Sequence, residues 1–380
     1  MRVLIVSGIW PPDVGGPASH APEVAGFLRG RGHSVEVVTT ADREPPPADY
    51  SVHWVDRANP VGVRHLRTAA LIRRRAAAND VVYTTGMFGR SAAGSLLAGT
   101  PFVVKLTADP AYERSRRRGF FAGSLEDFQD GGGGHRSWVL RRARDAELGR
   151  AAHVFCPSEY LRRLAVAWGL PPERVSVLPN PVPTLPPLSD QAALREQLGL
   201  NGATLAFAGR LTRQKALDVA LEALARADGV SLVLAGEGDE QPALERRASE
   251  LGLGARVRFL GPLPRERVLE LLRAADALVL SSAWENFPHT VVEALAVGTP
   301  VLATTAGGVG EVVEHERNGL LVAPGDPDAL AAAVQRFFGE AGLKERLRDQ
   351  AASSVADYAP ERVYGRLEEV LASVALSEAG

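Results

Sequence analysis

The sequence predicts an α/β protein made of two Rossmann-like parallel-sheet domains facing across a cleft. Three observations predict it. Short apolar, β-branched runs alternate with helical patterns from the first residue on, which is how βα units around a parallel sheet read. The alternation falls into two series. Between them lies Leu178-Pro-Asn-Pro-Val-Pro-Thr-Leu-Pro-Pro-Leu-Ser189, whose prolines forbid both a helix and a central strand and so mark a domain boundary.

In the first series the predicted strands are Val3–Ser7, Val35–Thr39, Val81–Thr84, Phe102–Leu106, His153–Cys156 and Val175–Leu178, with helices such as Ala18–Arg31 and Arg64–Ala78 between them. In the second they are Thr204–Ala208, Ser231–Ala235, Val257–Leu260, Ala277–Leu280, Val301–Thr304 and Gly319–Val322. The segment Pro360–Val374 is amphipathic and long enough to return to the first domain. The expected division is 1–182, 183–358 and a returning helix in 359–380. Ligands are expected at the carboxyl ends of the strands.

One stretch breaks the rhythm. Arg114–Ser137 contains three consecutive arginines at 116–118 and four glycines at 131–134, which reads as either a functional lid or a disordered segment. From Arg114 to Arg144 arginines outnumber acids, which reads as a solvated helical face or as a weak contact with an anionic membrane surface.

Composition narrows the function. A chain of 380 residues, 46% hydrophobic and 23% charged, can bury two cores, and a net charge of -2 argues against a dedicated nucleic-acid binder. The single cysteine, Cys156, sits in a predicted buried strand and suits a reducing cytoplasm. The start, Met1–Ser7, is too short an apolar run for a signal peptide, and no run approaches the roughly 18 apolar residues of a membrane span. The expected location is cytoplasmic, with peripheral contact at the inner membrane face as a variant. Of 43 basic residues only Lys105, Lys215 and Lys344 are lysine, which singles each of them out.

The most informative segment runs from Ser282 to Pro300. Thr290-Val-Val-Glu293 has the spacing of a helix capping box, which places Glu285 in the preceding loop and Glu293 in the first turn. A helix N-terminus favours an anion such as a phosphate, and flanking carboxylates accept hydrogen bonds from hydroxyl groups. That combination suits a nucleotide-sugar. The plainer reading leaves Glu293 closing the box and Glu285 as a surface charge.

A second segment, Gly209-Arg210 followed by Lys215, lies directly after a predicted strand. Guanidinium and ammonium there can both reach a diphosphate. The plainer reading is basic residues dressing a helix start. A third, Ala235-Gly236-Glu237-Gly238, is another glycine-rich strand end whose plainer reading is a tight turn. The pair Asp326-Pro-Asp328 reads as helix-start chemistry.

Glu285 and Glu293 eight residues apart, Gly209-Arg210 with Lys215, the Gly236-Glu237 turn, Gly15-Gly16, Pro179-Asn180-Pro181, and Thr305-Ala-Gly307-Gly308 with Glu311 together resemble the retaining family 4 glycosyltransferases of the GT-B fold, glycosyl transferases group 1. The resemblance spans essentially the whole chain in order. It implies an N-terminal acceptor domain, a C-terminal nucleotide-sugar domain, and transfer of a hexosyl group to a hydroxyl acceptor without a cofactor or divalent metal. Arg210 and Lys215 match the residues that neutralise the donor diphosphate. Glu285 matches the one near the sugar hydroxyls, with Asn286, Phe287, Pro288 and Thr290 beside it, and Glu293 the one that holds the ribose. Gly15 and Gly16 match backbone that closes onto the phosphates. Gly209, Gly236 and Glu237 match the phosphate-side turns, and Arg258 and Leu260 fall where backbone lies near the base. A uridine donor is the family's common usage.

One departure stands out. Many members carry a histidine near the sugar after the fourth predicted strand, whereas Val104–Glu113 has none; Lys105, Thr107 and Asp109 are the candidates for that space, with Asp109 the catalytic one. A Lys105–Asp109 ion pair is the plainer reading. The missing histidine keeps open a catalytically silent sugar-nucleotide binder, and the arginine-rich stretch keeps open a lipid-linked acceptor. An NAD enzyme is disfavoured, because the first strand runs into Trp10-Pro-Pro-Asp-Val-Gly-Gly16 rather than G-x-G-x-x-G.

Overall fold

The computed structural model describes residues 1–13 and 16–377. It forms two compact units, residues 1–179 with 361–380 and residues 180–360.

The first unit runs β1 (Arg2–Ser7), α1 (Gly16–Gly30), β2 (Ser34–Ala41), β3 (Ser51–Asp56), α2 (Val61–Ala76), β4 (Val81–Thr84), α3 (Phe88–Ala98), β5 (Phe102–Lys105), α4 (Pro110–Arg117), α5 (Leu125–Gln129), α6 (Gly134–Leu148), β6 (His153–Cys156), α7 (Glu159–Ala167) and β7 (Val175–Val177). Its parallel sheet has the order β3-β2-β1-β4-β5-β6-β7. Leu4, Ile5 and Val6 are fully buried because β1 is central and covered on both faces. Its two pairings are set by Val3 opposite Val35 and Val3 opposite Val81.

The edge strand β3 is absent from the expectations above. Its residues Val52, His53 and Trp54 are only half-buried, so Ser-Val-His-Trp-Val-Asp lacks the continuous apolar run that marks the inner strands.

The second unit runs α8 (Gln191–Leu198), β8 (Ala203–Ala208), α9 (Leu217–Ala225), β9 (Val230–Ala235), α10 (Gln241–Glu250), β10 (Val257–Gly261), α11 (Arg265–Ala274), β11 (Ala277–Leu280), α12 (His289–Ala296), β12 (Val301–Thr304), β13 (Gly319–Val322), α13 (Pro327–Gly339) and α14 (Leu343–Ser354). The parallel order is β10-β9-β8-β11-β12-β13. Asp326 caps α13, its carboxylate accepting from the Ala329 amide at 2.9 Å. The last helix, α15 (Pro360–Ser377), lays Val363, Tyr364, Leu367 and Leu371 into the core cluster of the first unit that holds Val3 and Ile5.

Residues 114–137 correct the expectation of a lid or disordered loop. They fold as the end of α4, all of α5 and the start of α6 around a small core of Ala111, Tyr112, Leu125, Phe128 and Leu140. Ser124 and Asp127 form the capping box that starts α5. Two arginines of the 114–144 run are structural rather than surface charges. Arg141 donates to the carbonyls of Phe128 and Gly132, and Arg144 is buried. Among the described residues no helix is long and apolar enough to cross a membrane.

Candidate active site

In the second unit the strand order reverses between β8 and β11, and open parallel sheets bind ligands in the crevice at such a reversal. Gly209 and Gly236 leave β8 and β9 with φ of +154° and +137°, conformations that favour glycine. A Cβ on Gly236 would strike the Gly209 carbonyl. The backbones there are laced together: the Gly209 amide donates to Ala235 O at 2.9 Å, Leu211 to Glu237 O at 2.9 Å, and Gly236 to Gly261 O at 2.8 Å.

Across the reversal, Lys215 and Glu285 meet. Lys215 closes a 3-10 turn at Arg213–Lys215, and its Nζ lies 2.5 Å from Glu285 Oε1. The carboxylate is 5% exposed and the ammonium 20%, so burial of one charge is offset by the other. Ser282 Oγ donates to the same oxygen at 2.7 Å. The two loops are tied further by Ser281 Oγ donating to Lys215 O at 2.9 Å, the Ala283 amide to Gln214 O at 2.8 Å, and Gln214 Nε2 to Trp284 O at 3.0 Å.

Behind Glu285, Gly307 has φ +55° and packs so closely that a Cβ would strike the Glu285 carbonyl, to which Gly308 N donates at 3.0 Å. The result is a braced carboxylate with its ammonium held at the strand ends. Serine, glutamine and glycine do this bracing, and the sequence reading gave Ser282, Gln214 and Gly307 no such role. Their signal was adjacency to the motif.

Arg210 is exposed, and among the described residues its guanidinium makes no hydrogen bond; it lines an open cleft of about 650 Å³ with Thr212, Glu237 and Asp239. Phe287 is buried edge-on to His289, and Pro288 immediately precedes α12. Asn286 Oδ1 is buried without a partner among the described residues, an acceptor left for a ligand or water.

The capping box does not form, which corrects the sequence reading. Thr290 Oγ1 donates to Ala208 O at 3.1 Å, tying α12 to the end of β8, and Glu293 turns to Arg265 at 3.5 Å. Burial raises the Glu293 carboxyl above its usual range, with Arg265 opposing the shift. Leu260 lies at the irregularity of β10, whereas the Arg258 side chain turns away and donates to the carbonyls of Leu198 and Gly199. Gly16 is the first residue of α1, and Gly15 lies outside the described residues.

The first unit overturns two further readings. Asp109 is not placed for catalysis: its Oδ1 accepts from the Ala111 and Tyr112 amides as the cap of α4, and its Oδ2 accepts from Gln129 and from Arg144 at 2.7 Å. The side chain is fully buried. Lys105 does not pair with Asp109; it is buried on β5 and donates to the Leu178 carbonyl. Of the three candidates for the histidine's space, Thr107 is the exposed one.

The family model described as Glycosyl transferases group 1 matches residues 190–354, and the Glycosyl transferase 4-like domain matches residues 15–181. A glycogen synthase of Mycobacterium tuberculosis is 30% identical over 381 residues, covering 91% of this chain and 88% of that protein. The chain belongs to the group 1 glycosyltransferases.

An uncharacterized glycosyltransferase of Methanocaldococcus jannaschii is 26% identical over 379 residues, 93% of each chain. Among solved structures, Anabaena HepE in complex with UDP superposes with a TM-score of 0.79 at 25% identity, covering 98% of this glycosyltransferase and all of that chain. The fold is GT-B, two parallel-sheet α/β domains with a C-terminal helix.

Proposed function

We propose that this glycosyltransferase moves a hexosyl group from a UDP-sugar to a hydroxyl acceptor with retention at the anomeric carbon, and that it needs no divalent metal. The donor binds the second unit and the acceptor the first. The observation that carries the reading is the Lys215–Glu285 pair at the reversal between β8 and β11, 2.5 Å apart.

Lys215 and the unengaged Arg210 supply the positive charge that stabilises a departing diphosphate, the main electrostatic demand of such a transfer. Glu285, braced by Ser282, accepts from sugar hydroxyls and holds Lys215 in place. Because its Oε1 is already engaged by Lys215 and Ser282, we assign it no role as a nucleophile. The acceptor oxygen then attacks the anomeric carbon on the face the diphosphate leaves. The carbon–phosphate oxygen bond breaks as the new glycosidic bond forms, and the acceptor proton passes to the departing phosphate oxygen. Glu293, once its carboxyl is ionised, accepts from the ribose hydroxyls. The UDP complex of HepE, a relative at 25% identity, supports the choice of base.

The test is a screen of UDP-sugars in chelator with product read by NMR. The expected product keeps the anomeric configuration of the donor. An inverted product would overturn the same-face mechanism, and transfer that requires added metal would overturn the charge assignment to Arg210 and Lys215.

A further inference from the structure

The first sheet has its own reversal, between β1 and β4, and a cavity of about 820 Å³ opens where those strands end, at Gly8-Ile9 and Thr85-Gly86. The strand ends crowd there: a Cβ on Gly86 would sit 3.3 Å from the Gly8 amide nitrogen. The cavity is therefore built at the same topological position as the donor crevice of the second sheet.

Its lining is strongly cationic. Arg64 comes from α2, Arg90 from α3, and Arg114, Arg117 and Arg118 from α4 and its end, against one carboxylate, Glu147 of α6. Glu147 lies 3.4 Å from Arg114 and offsets Arg90 only in part, and Arg64 donates to the Arg57 carbonyl at 2.9 Å. Among the described residues Arg90 makes no side-chain hydrogen bond. Burial, with Arg64 and Arg114 beside it, pushes its guanidinium down to about 10. Arginines arranged in this way from three elements match the several oxygens of a phosphate, which they bind through forked, charge-assisted hydrogen bonds.

We propose that this cavity binds a dianionic phosphate ester carried by the acceptor, with Arg64, Arg90 and Arg114 around the phosphate and Arg117 and Arg118 at the exposed rim. The inference rests on the reading above that the first unit takes the acceptor. The phosphate belongs either to a soluble phosphorylated hydroxy compound or to a phospholipid headgroup, and the experiment separates them.

The full-length protein is titrated calorimetrically with inorganic phosphate, free and saturated with UDP. Separately, it is mixed with phosphatidylcholine vesicles that carry phosphatidic acid. Phosphate is expected to bind in both forms, and Arg90→Gln to weaken it about tenfold or more with UDP affinity unchanged. Arg64→Gln, on a different helix, repeats the test should Arg90→Gln not fold. Phosphate binding without vesicle capture identifies a soluble ester. Vesicle capture that phosphate competes away, and that Arg90→Gln loses, identifies a lipid headgroup. Absence of phosphate binding, or equal binding by both variants and the parent, overturns the proposal. A protein that binds UDP but not phosphate loses this proposal alone, and one that binds phosphate but not UDP loses the donor assignment alone.

Discussion

Lys105 gives the sharpest prediction about the first unit. Burial lowers its ammonium from 10.5 to about 7, with the nearby Cys156 opposing the shift. Below about pH 7 the folded and unfolded chains both carry the proton, and the folded state bears the whole cost of a buried charge. Between about 7 and 10.5 the unfolded chain holds a proton that the folded chain has released, so stability rises with pH by up to about 1.4 kcal/mol per unit. From about pH 6 to about pH 8.5 the integrated gain is about 2 kcal/mol. Above that window Cys156, pushed up to about 12 from 9.0, works the other way, because its thiol ionises only on unfolding. The perturbation is Lys105→Met, which keeps the apolar stem and removes the titrating group. It also leaves the Leu178 carbonyl short of a donor, a pH-independent cost of about 1–3 kcal/mol. The assay is denaturant unfolding of both proteins across the window. The parent is expected to gain about 2 kcal/mol on the variant between its ends. Parallel pH profiles would refute the reasoning.

Asp109→Asn keeps an acceptor for the amides of α4 but leaves Arg144 buried without its carboxylate, so about 3–5 kcal/mol of stability should be lost in urea melts while UDP affinity is unchanged. A change in UDP affinity would count against a purely structural Asp109. Gly307→Ala forces a Cβ onto the Glu285 carbonyl at a φ that disfavours side chains; about 1–3 kcal/mol of stability should go, with donor affinity weakened through Glu285, and unaltered UDP binding would show that the brace is dispensable. UDP affinity should fall as pH drops through the raised pKa of Glu293, since protonation would remove the acceptor proposed for the ribose, and Glu293→Gln should abolish that step in a pH series of titrations.

Most strands were legible in the sequence because inner strands of parallel sheets are buried on both faces and read as unbroken apolar runs, as in Leu4-Ile5-Val6 and Leu278-Val279-Leu280. The half-exposed β3 was not. The placement of Lys215 and Glu285 just beyond strand ends of the second sheet was legible, because each follows a short apolar strand run, and the structure brings the two together. Legibility failed where spacing has two physical outcomes. Thr290 and Glu293 have capping-box spacing, but a competing acceptor, the Ala208 carbonyl, takes the hydroxyl, and Arg265 takes the carboxylate. Asp109 and Lys105 are four apart, yet the tertiary partners Arg144 and Leu178 lie 35 and 73 residues away along the chain, beyond any local pattern. The glycines at 131–134 suggested a hinge, whereas Gly132 and Gly133 pack against Phe121 and Ser137 where a Cβ would not fit.

The proposed donor diphosphate site centres on Lys215 and its partner Glu285. Calorimetric titration with UDP and GDP in chelator, on the parent and Lys215→Ala, tests it most directly. Metal-free binding with UDP preferred is expected, weakened about tenfold or more by the substitution. Failure of both nucleotides to bind, or equal UDP affinity in the two proteins, would contradict it.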